Sequence, residues 1–63
     1  MDYRKLSEDM FDDMNDWLVS HHGGELRYVY EMYINEYLSD RLGDLNDKAY
    51  REMRKHLLGM LIS

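Results

Sequence analysis

The chain has 63 residues, no cysteine and no proline. So short a chain forms one domain at most, and its small core gains little stability from burial alone. Thirteen acidic and eight basic residues give a net charge of −5, which disfavours binding of nucleic acid by the whole surface. With 44% hydrophobic residues the chain is too apolar for a disordered tail, so we expect a single folded domain over residues 1–63.

The composition also indicates where the protein is expected to be located and whether it is expected to bind a metal or a cofactor. No apolar run exceeds three residues, whereas a transmembrane helix needs about 20, so we expect no membrane partner. The lack of cysteine and of an apolar signal core makes the cytoplasm the expected location. His21 and His22 are adjacent and point in different directions on a helix, so we expect no metal and no cofactor.

The first predicted helix spans about residues 7–22. Ser7 is a favourable N-cap, and Leu6 and Phe11 have the spacing of a hydrophobic staple around it. Gly23 or Gly24 is expected to end the helix in the left-handed conformation. One side of this helix is entirely acidic, and we interpret it as a docking face for a basic partner or as a solvated face; this acidic face comprises Glu8, Asp9, Asp12, Asp13 and Asp16.

The second predicted helix spans about residues 25–42 and ends at Gly43. Its apolar residues recur at helical spacing from Leu26 to Leu38, which predicts a buried stripe. Tyr28 and Met32 are four residues apart and lie on another side of an α-helix. Because tyrosine and methionine are enriched at protein interfaces, we predict that Tyr28 and Met32 contact a partner or a second copy.

The third predicted helix spans about residues 46–62, with Asn46 as N-cap. Asp47–Arg51 and Lys48–Glu52 have the i,i+4 spacing of helix ion pairs. Opposite the apolar side lies a basic face; it comprises Lys48, Arg51, Arg54 and Lys55. We expect this basic face to pair with the acidic first helix, within or between chains; the alternative is a helix-turn-helix that faces DNA.

Together these elements predict an all-α fold of three helices, as a compact bundle or as an open arrangement that a second copy completes. No catalytic apparatus is evident. The chain has no cysteine nucleophile, and none of Ser7, Ser20, Ser39 and Ser63 lies in a nucleophile motif. Gly23-Gly24 is too short for a phosphate-binding loop. We therefore expect a non-enzymatic protein.

Two stretches carry a resemblance to a known class. The chain resembles the small early accessory proteins of temperate bacteriophages in Leu6–Leu18 (LSEDMFDDMNDWL) and Tyr28–Leu38 (YVYEMYINEYL). Proteins of that class are short, cysteine-free, helical and acidic, and they act by binding host proteins. The resemblance implies a regulator or inhibitor of a host protein and assigns no functional residue.

The expected function is therefore that of a protein–protein interaction module, with another protein as partner and a homodimer as a further expectation. The alternative is a small DNA-binding regulator that uses the third helix. The net charge and the acids Asp44 and Asp47 beside that helix make nucleic acid the less favoured partner.

Overall fold

A computed structural model describes residues 2–63. Its elements are, in chain order, α1 (Tyr3–His22), a 3₁₀ segment (Arg27–Tyr33), α2 (Ile34–Leu42) and α3 (Asp47–Ile62). The described range contains no strand, so the predicted all-α fold with three helices is confirmed. Among the helices of this range, none has the length and apolar character to cross a membrane.

Helix α1 begins four residues before the predicted start. Asp2 is the N-cap, and its carboxylate accepts a hydrogen bond from the Lys5 backbone N–H at 3.1 Å. The prediction that Ser7 caps the helix is wrong, because Ser7 lies within the second turn and is fully buried. Aspartate and serine are both good caps, and the local sequence does not decide between two such residues five positions apart.

Helix α1 ends at Gly23 in a right-handed conformation, with φ of −63°, so the expected left-handed cap is wrong. A Cβ atom at Gly23 would instead overlap the Val19 carbonyl oxygen. Glycine is therefore required here for a close approach of the backbone. In residues 2–63 the one positive φ belongs to Gly43, at 70°.

The second predicted helix is divided into a 3₁₀ segment and a short α-helix. Leu26 precedes the 3₁₀ segment and offers no side-chain cap, and Tyr33 precedes α2 without one. Aromatic and β-branched residues dominate this segment, and their helix propensity is modest. With three residues per turn, Tyr30 and Tyr33 lie on one line; Tyr30 enters the core, and the Tyr33 ring stacks on His22 at 3.5 Å.

The turn between α2 and α3 is close to its predicted form. The Gly43 N–H donates to the Ser39 carbonyl at 3.0 Å, and its positive φ favours glycine. The Asn46 side chain then accepts from the Ala49 N–H at 2.8 Å, which confirms Asn46 as the N-cap of α3. Helix α3 accordingly spans nearly the predicted 46–62.

The core lies between α1 and α3, which make the largest helix–helix contact, and is completed by the 3₁₀ segment and α2. Of the two predicted arrangements, the chain adopts the compact one, with dimensions of 34 × 24 × 16 Å. All the buried apolar residues except Ala49 form one cluster; its members are Met14, Trp17, Leu18, Tyr30, Ile34, Tyr37, Leu38, Met53, Leu57 and Leu61.

We predict that Ser7→Ala raises stability. The Ser7 hydroxyl is buried, has no hydrogen-bond partner in residues 2–63, and lies where alanine is the better helix former. Removal of such a group should increase the free energy of unfolding by about 0.5–1 kcal/mol in urea denaturation.

The matched variant is Asp2→Ala, which removes the actual cap and should lower stability by about 0.5–1 kcal/mol. A loss of stability in Ser7→Ala with none in Asp2→Ala would contradict the start of α1 at Tyr3.

Candidate functional site

The acidic face of α1 is only partly free. Glu8 accepts a hydrogen bond from the Arg4 Nε at 3.2 Å, and the Asp9 carboxylate lies 4.0 Å from the Lys5 ammonium. Both pairs have i,i+4 spacing and are exposed, so each contributes little to stability. The sequence carries this signal, but it becomes meaningful only once α1 is known to begin before Arg4.

Asp13 differs from the other members of the acidic face, because its carboxylate joins α1 to α2. The Tyr37 hydroxyl donates to Asp13 Oδ2 at 2.7 Å, and the Arg41 Nε donates to the same oxygen at 3.0 Å. These hydrogen bonds, the one from Tyr37 first, lower the pKa of Asp13 below its ordinary 3.8. Asp13 therefore joins α1 to α2 through one carboxylate oxygen, and its predicted part in docking stays a prediction.

A second carboxylate completes this joint. Asp40 Oδ2 accepts from the Trp17 indole Nε1 at 2.9 Å and lies 3.5 Å from Arg41 Nη1. Burial, followed by the hydrogen bond to Asp13, raises the pKa of Tyr37. We call this network the polar joint; it comprises Asp13, Trp17, Tyr37, Asp40 and Arg41.

The basic face of α3 makes no ion pair within residues 2–63. Neither predicted pair forms: Glu52 lies 3.9 Å from His56, and no described carboxylate lies within 4.0 Å of Lys48 or Arg51. The same holds for Arg54 and Lys55 over residues 2–63. Arg51 and Arg54 line an open groove of about 670 Å³ between α2 and α3; its other lining residues are Asn35, Glu36, Ser39, Asp47 and Tyr50.

The two predicted interface residues of the second element are both exposed, but they do not lie together. Tyr28 is 72% and Met32 69% exposed. Four residues correspond to about 120° of rotation in a 3₁₀ helix, and the two side chains line different grooves. The predicted pairing of Tyr28 with Met32 on one side is therefore wrong, because it assumes α-helical geometry.

Each of these two residues has another apolar neighbour. Tyr28 shares a groove of about 300 Å³ with Leu61 and Ile62 at the end of α3, and Ile62 is 68% exposed. We call these three residues the apolar patch. Met32 lines a groove of about 400 Å³ with Val29 and Leu26, which is 65% exposed. Because a 3₁₀ helix has three residues per turn, Leu26, Val29 and Met32 lie on one line along its surface; we call these three residues the 3₁₀ ridge.

Sequence reasoning missed Ile62 and Leu26 as surface residues. Leu26 fits the apolar pattern of the second element, and its exposure depends on the 3₁₀ winding, which has no signal in the local sequence. Ile62 follows Lys55 by seven residues, about two α-helical turns, so it falls on the basic side of α3 and not on the apolar stripe. The helical spacing could therefore have predicted the exposure of Ile62.

The histidines at the end of α1 have structural partners. The His21 ring stacks on Trp17 at 4.0 Å, and its Nδ1 lies 2.9 Å from the Trp17 carbonyl oxygen. Because a carbonyl oxygen only accepts, Nδ1 is the donor in this hydrogen bond. His22 Nε2 lies 3.4 Å from Glu36 Oε2, a contact of ion-pair distance without hydrogen-bond geometry. Within residues 2–63, no three histidine or acidic side chains converge as a metal site.

The hydroxyl group of Tyr33, whose ring stacks on His22, also has a partner within the chain. The Tyr33 hydroxyl donates to Glu25 Oε1 at 3.1 Å, and this hydrogen bond is the main cause of the raised pKa of Tyr33. The Tyr33 side chain thus contacts His22 at the end of α1 and Glu25 in the turn that follows. These two contacts position the 3₁₀ segment, and with it the 3₁₀ ridge, against α1.

Comparison with family models, with curated proteins and with solved structures finds no match to this chain. The functional residues are therefore assigned from the geometry of the chain itself. The resemblance of Leu6–Leu18 and Tyr28–Leu38 to early bacteriophage proteins stays a prediction.

We predict that Tyr37→Phe lowers the free energy of unfolding by about 1 kcal/mol at pH 7, because it removes a partly buried hydrogen bond to a carboxylate. Tyr50→Phe is the matched control: its hydroxyl donates to the Gly43 carbonyl at 3.2 Å in an exposed position, so its loss should be smaller. Urea denaturation of both variants and the parent measures the difference.

The pH dependence gives a second measurement on the same variant. A lowered pKa means that Asp13 stabilises the fold above the ordinary pKa of 3.8, and that this contribution is lost as the pH falls through the lowered value. The raised pKa of Tyr37 stabilises the fold below 10.0, a contribution lost as the pH rises through the raised value. The difference between parent and Tyr37→Phe should therefore shrink in acid; a constant difference would contradict the assigned hydrogen bond.

Proposed function

We propose that the protein is a non-enzymatic protein–protein interaction module, and that the apolar patch is its principal contact with the partner. The observation that carries this proposal is the exposure of Tyr28 and Ile62, at 72% and 68%, on the lining of one groove. Contact of large apolar side chains with water is unfavourable and their burial is favourable, so two such exposed side chains on one groove are typical of a binding surface.

The composition of the patch supports the same proposal. Tyrosine is among the residues that contribute most to binding energy, because a rigid aromatic ring provides a large contact area with little conformational entropy to lose. Arg27 and Glu31 flank the patch in the same groove and supply charged groups at its edge. An apolar centre with a polar edge is the usual organisation of a protein interface.

The adjacent 3₁₀ ridge extends the surface that a partner could cover. Leu26 and Met32 are about as exposed as Tyr28, on the next line of the same segment. A partner that follows the 3₁₀ segment would bury both lines. We expect this binding in the cytoplasm, and the resemblance to early bacteriophage proteins suggests a host protein as the target, with regulation or inhibition as the effect.

The test compares partner capture by matched variants. We predict that Tyr28→Ser with Ile62→Ser keeps the helicity and melting temperature of the parent but captures the partner at least about tenfold less well from an extract of the source cells. Val19→Ser removes an apolar side chain that is 59% exposed on α1, and it should capture the partner like the parent. Equal capture by all three proteins would contradict the apolar patch as the contact surface.

A second candidate function is DNA binding through α3. Two observations favour it: the basic face has no ion pair in residues 2–63, and α2 and α3 are joined by only four residues, 43–46. Such a connection is compatible with a helix-turn-helix. Against it, Glu36 and Asp47 line the same groove as Arg51 and Arg54 and would repel phosphate groups.

We predict that electrophoretic shift assays with duplex DNA give at most weak binding, which disappears as salt is raised to physiological strength. The opposite result, a tight and sequence-selective shift at physiological salt, would favour the second candidate. In that case Arg51→Ala with Arg54→Ala should abolish the shift, whereas Arg4→Ala with Lys5→Ala on α1 should leave it unchanged.

A further inference from the structure

The basic face of α3 is a concentrated positive surface without a counterpart in its own chain. Its four side chains fall within eight consecutive residues, and none makes an ion pair in the described range. Arg54 is half-buried beside the groove between α2 and α3, whose carboxylates Glu36 and Asp47 leave the outer side of the basic face as the more positive part. This surface is suited to an elongated ligand that carries several carboxylates.

Helix α1 presents a surface of opposite charge. We call it the acidic stripe; it comprises Glu8, Asp9, Asp12 and Asp16, without Asp13. Asp12 and Asp16 are exposed and make no ion pair in residues 2–63, while Glu8 and Asp9 pair only with exposed bases of their own helix. Those exposed pairs are weak and exchange readily for stronger partners.

The two charged surfaces do not meet within one molecule. Helices α1 and α3 pack against each other through their apolar sides, with Met14, Leu18, Met53 and Leu57 in the shared core. Their charged sides consequently point away from that contact, and no ion pair joins the two helices in the described range. The pairing expected from the sequence is therefore not available inside one chain.

The dimensions of the two surfaces match. At 1.5 Å per residue, Glu8 to Asp16 covers about 12 Å of helix and Lys48 to Lys55 covers about 10 Å. Each length carries four charges of one sign. We propose that the acidic stripe of α1 in one copy docks on the basic face of α3 in a second copy, on the outer side of α3 rather than inside the groove that also holds Glu36 and Asp47.

This contact joins two different surfaces, so it is heterologous. Each copy in a pair keeps one acidic stripe and one basic face unoccupied, and further copies can add to either end. The apolar patch is not used, so the self-association proposed here does not depend on the proposed function. Because exposed charge pairs are weak and screened, the association is sensitive to salt, with a screening length of about 10 Å at 0.1 M and about 3 Å at 1 M.

The test is charge reversal followed by mixing. The first variant is Asp12→Lys with Asp16→Lys, and the second is Arg51→Glu with Arg54→Glu. Each variant alone brings like charges together and should sediment at the monomer mass of 7.7 kDa at tens of micromolar in low salt. The parent should sediment at twice that mass or more in low salt and as the monomer in about 1 M salt.

An equimolar mixture of the two variants should regain association, because every contact between unlike copies is again between opposite charges. Tyr28→Ser with Ile62→Ser is the control and should associate like the parent. Circular dichroism establishes that each variant is folded; if one reversal is not, Asp12→Asn with Asp16→Asn or Arg51→Gln with Arg54→Gln replaces it and should weaken association in the same way.

Four outcomes overturn the proposal: a parent that stays monomeric in low salt, reversed variants that associate like the parent, a mixture that stays monomeric, or loss of association in the control. The last outcome would assign self-association to the apolar patch instead. A monomeric parent with tight DNA binding would assign the basic face to the second candidate function.

Discussion

The hydroxyl group of Tyr37 determines how the second half of the chain lies on the first. It is attached to a fully buried side chain, and a buried hydroxyl without a partner is costly. Asp13 is the nearer acceptor, at 2.7 Å against 3.4 Å for the Met10 carbonyl, and it also accepts from Arg41. Helix α2 has nine residues, too few to be stable in isolation, so its position depends on this contact and on the burial of Ile34 and Leu38.

The position of α2 in turn determines what the surface presents. The 3₁₀ segment runs directly into α2, and at its other end the His22–Tyr33 stack ties it to α1. Because this segment is a 3₁₀ helix and not an α-helix, Tyr28 and Met32 are both exposed but project from different sides of it. In the polar joint, the Asp13 carboxylate of α1 is hydrogen-bonded to residues of α2. The other acids of α1, the basic face and the apolar patch remain exposed to other molecules.

Features of the fold and of the site can be predicted from the sequence when they depend on neighbouring residues, and not when they depend on residues far apart in the chain. The helical character of α1 and α3 and the Asn46 cap arise from local periodicity and capping and are predicted correctly, whereas the start of α1 and both of its caps are not. The role of Asp13 depends on residues 24 and 28 positions away, a separation over which a single sequence carries no pairing information. The 3₁₀ winding and the separation of Tyr28 from Met32 arise from tertiary contacts of Tyr30 and Tyr33, which override a pattern that reads equally well as α-helix.

Trp17 is the one tryptophan in the chain, and it lies in the polar joint. It is 3% exposed, its indole N–H is bound to Asp40, and one face of its ring is covered by His21. The tryptophan fluorescence of the protein, excited selectively over that of its six tyrosines, therefore originates at a single point, the junction of α1 with α2. Its emission wavelength reports separation of these two helices even where the helical content is unchanged, so the molecule carries its own optical probe of tertiary structure.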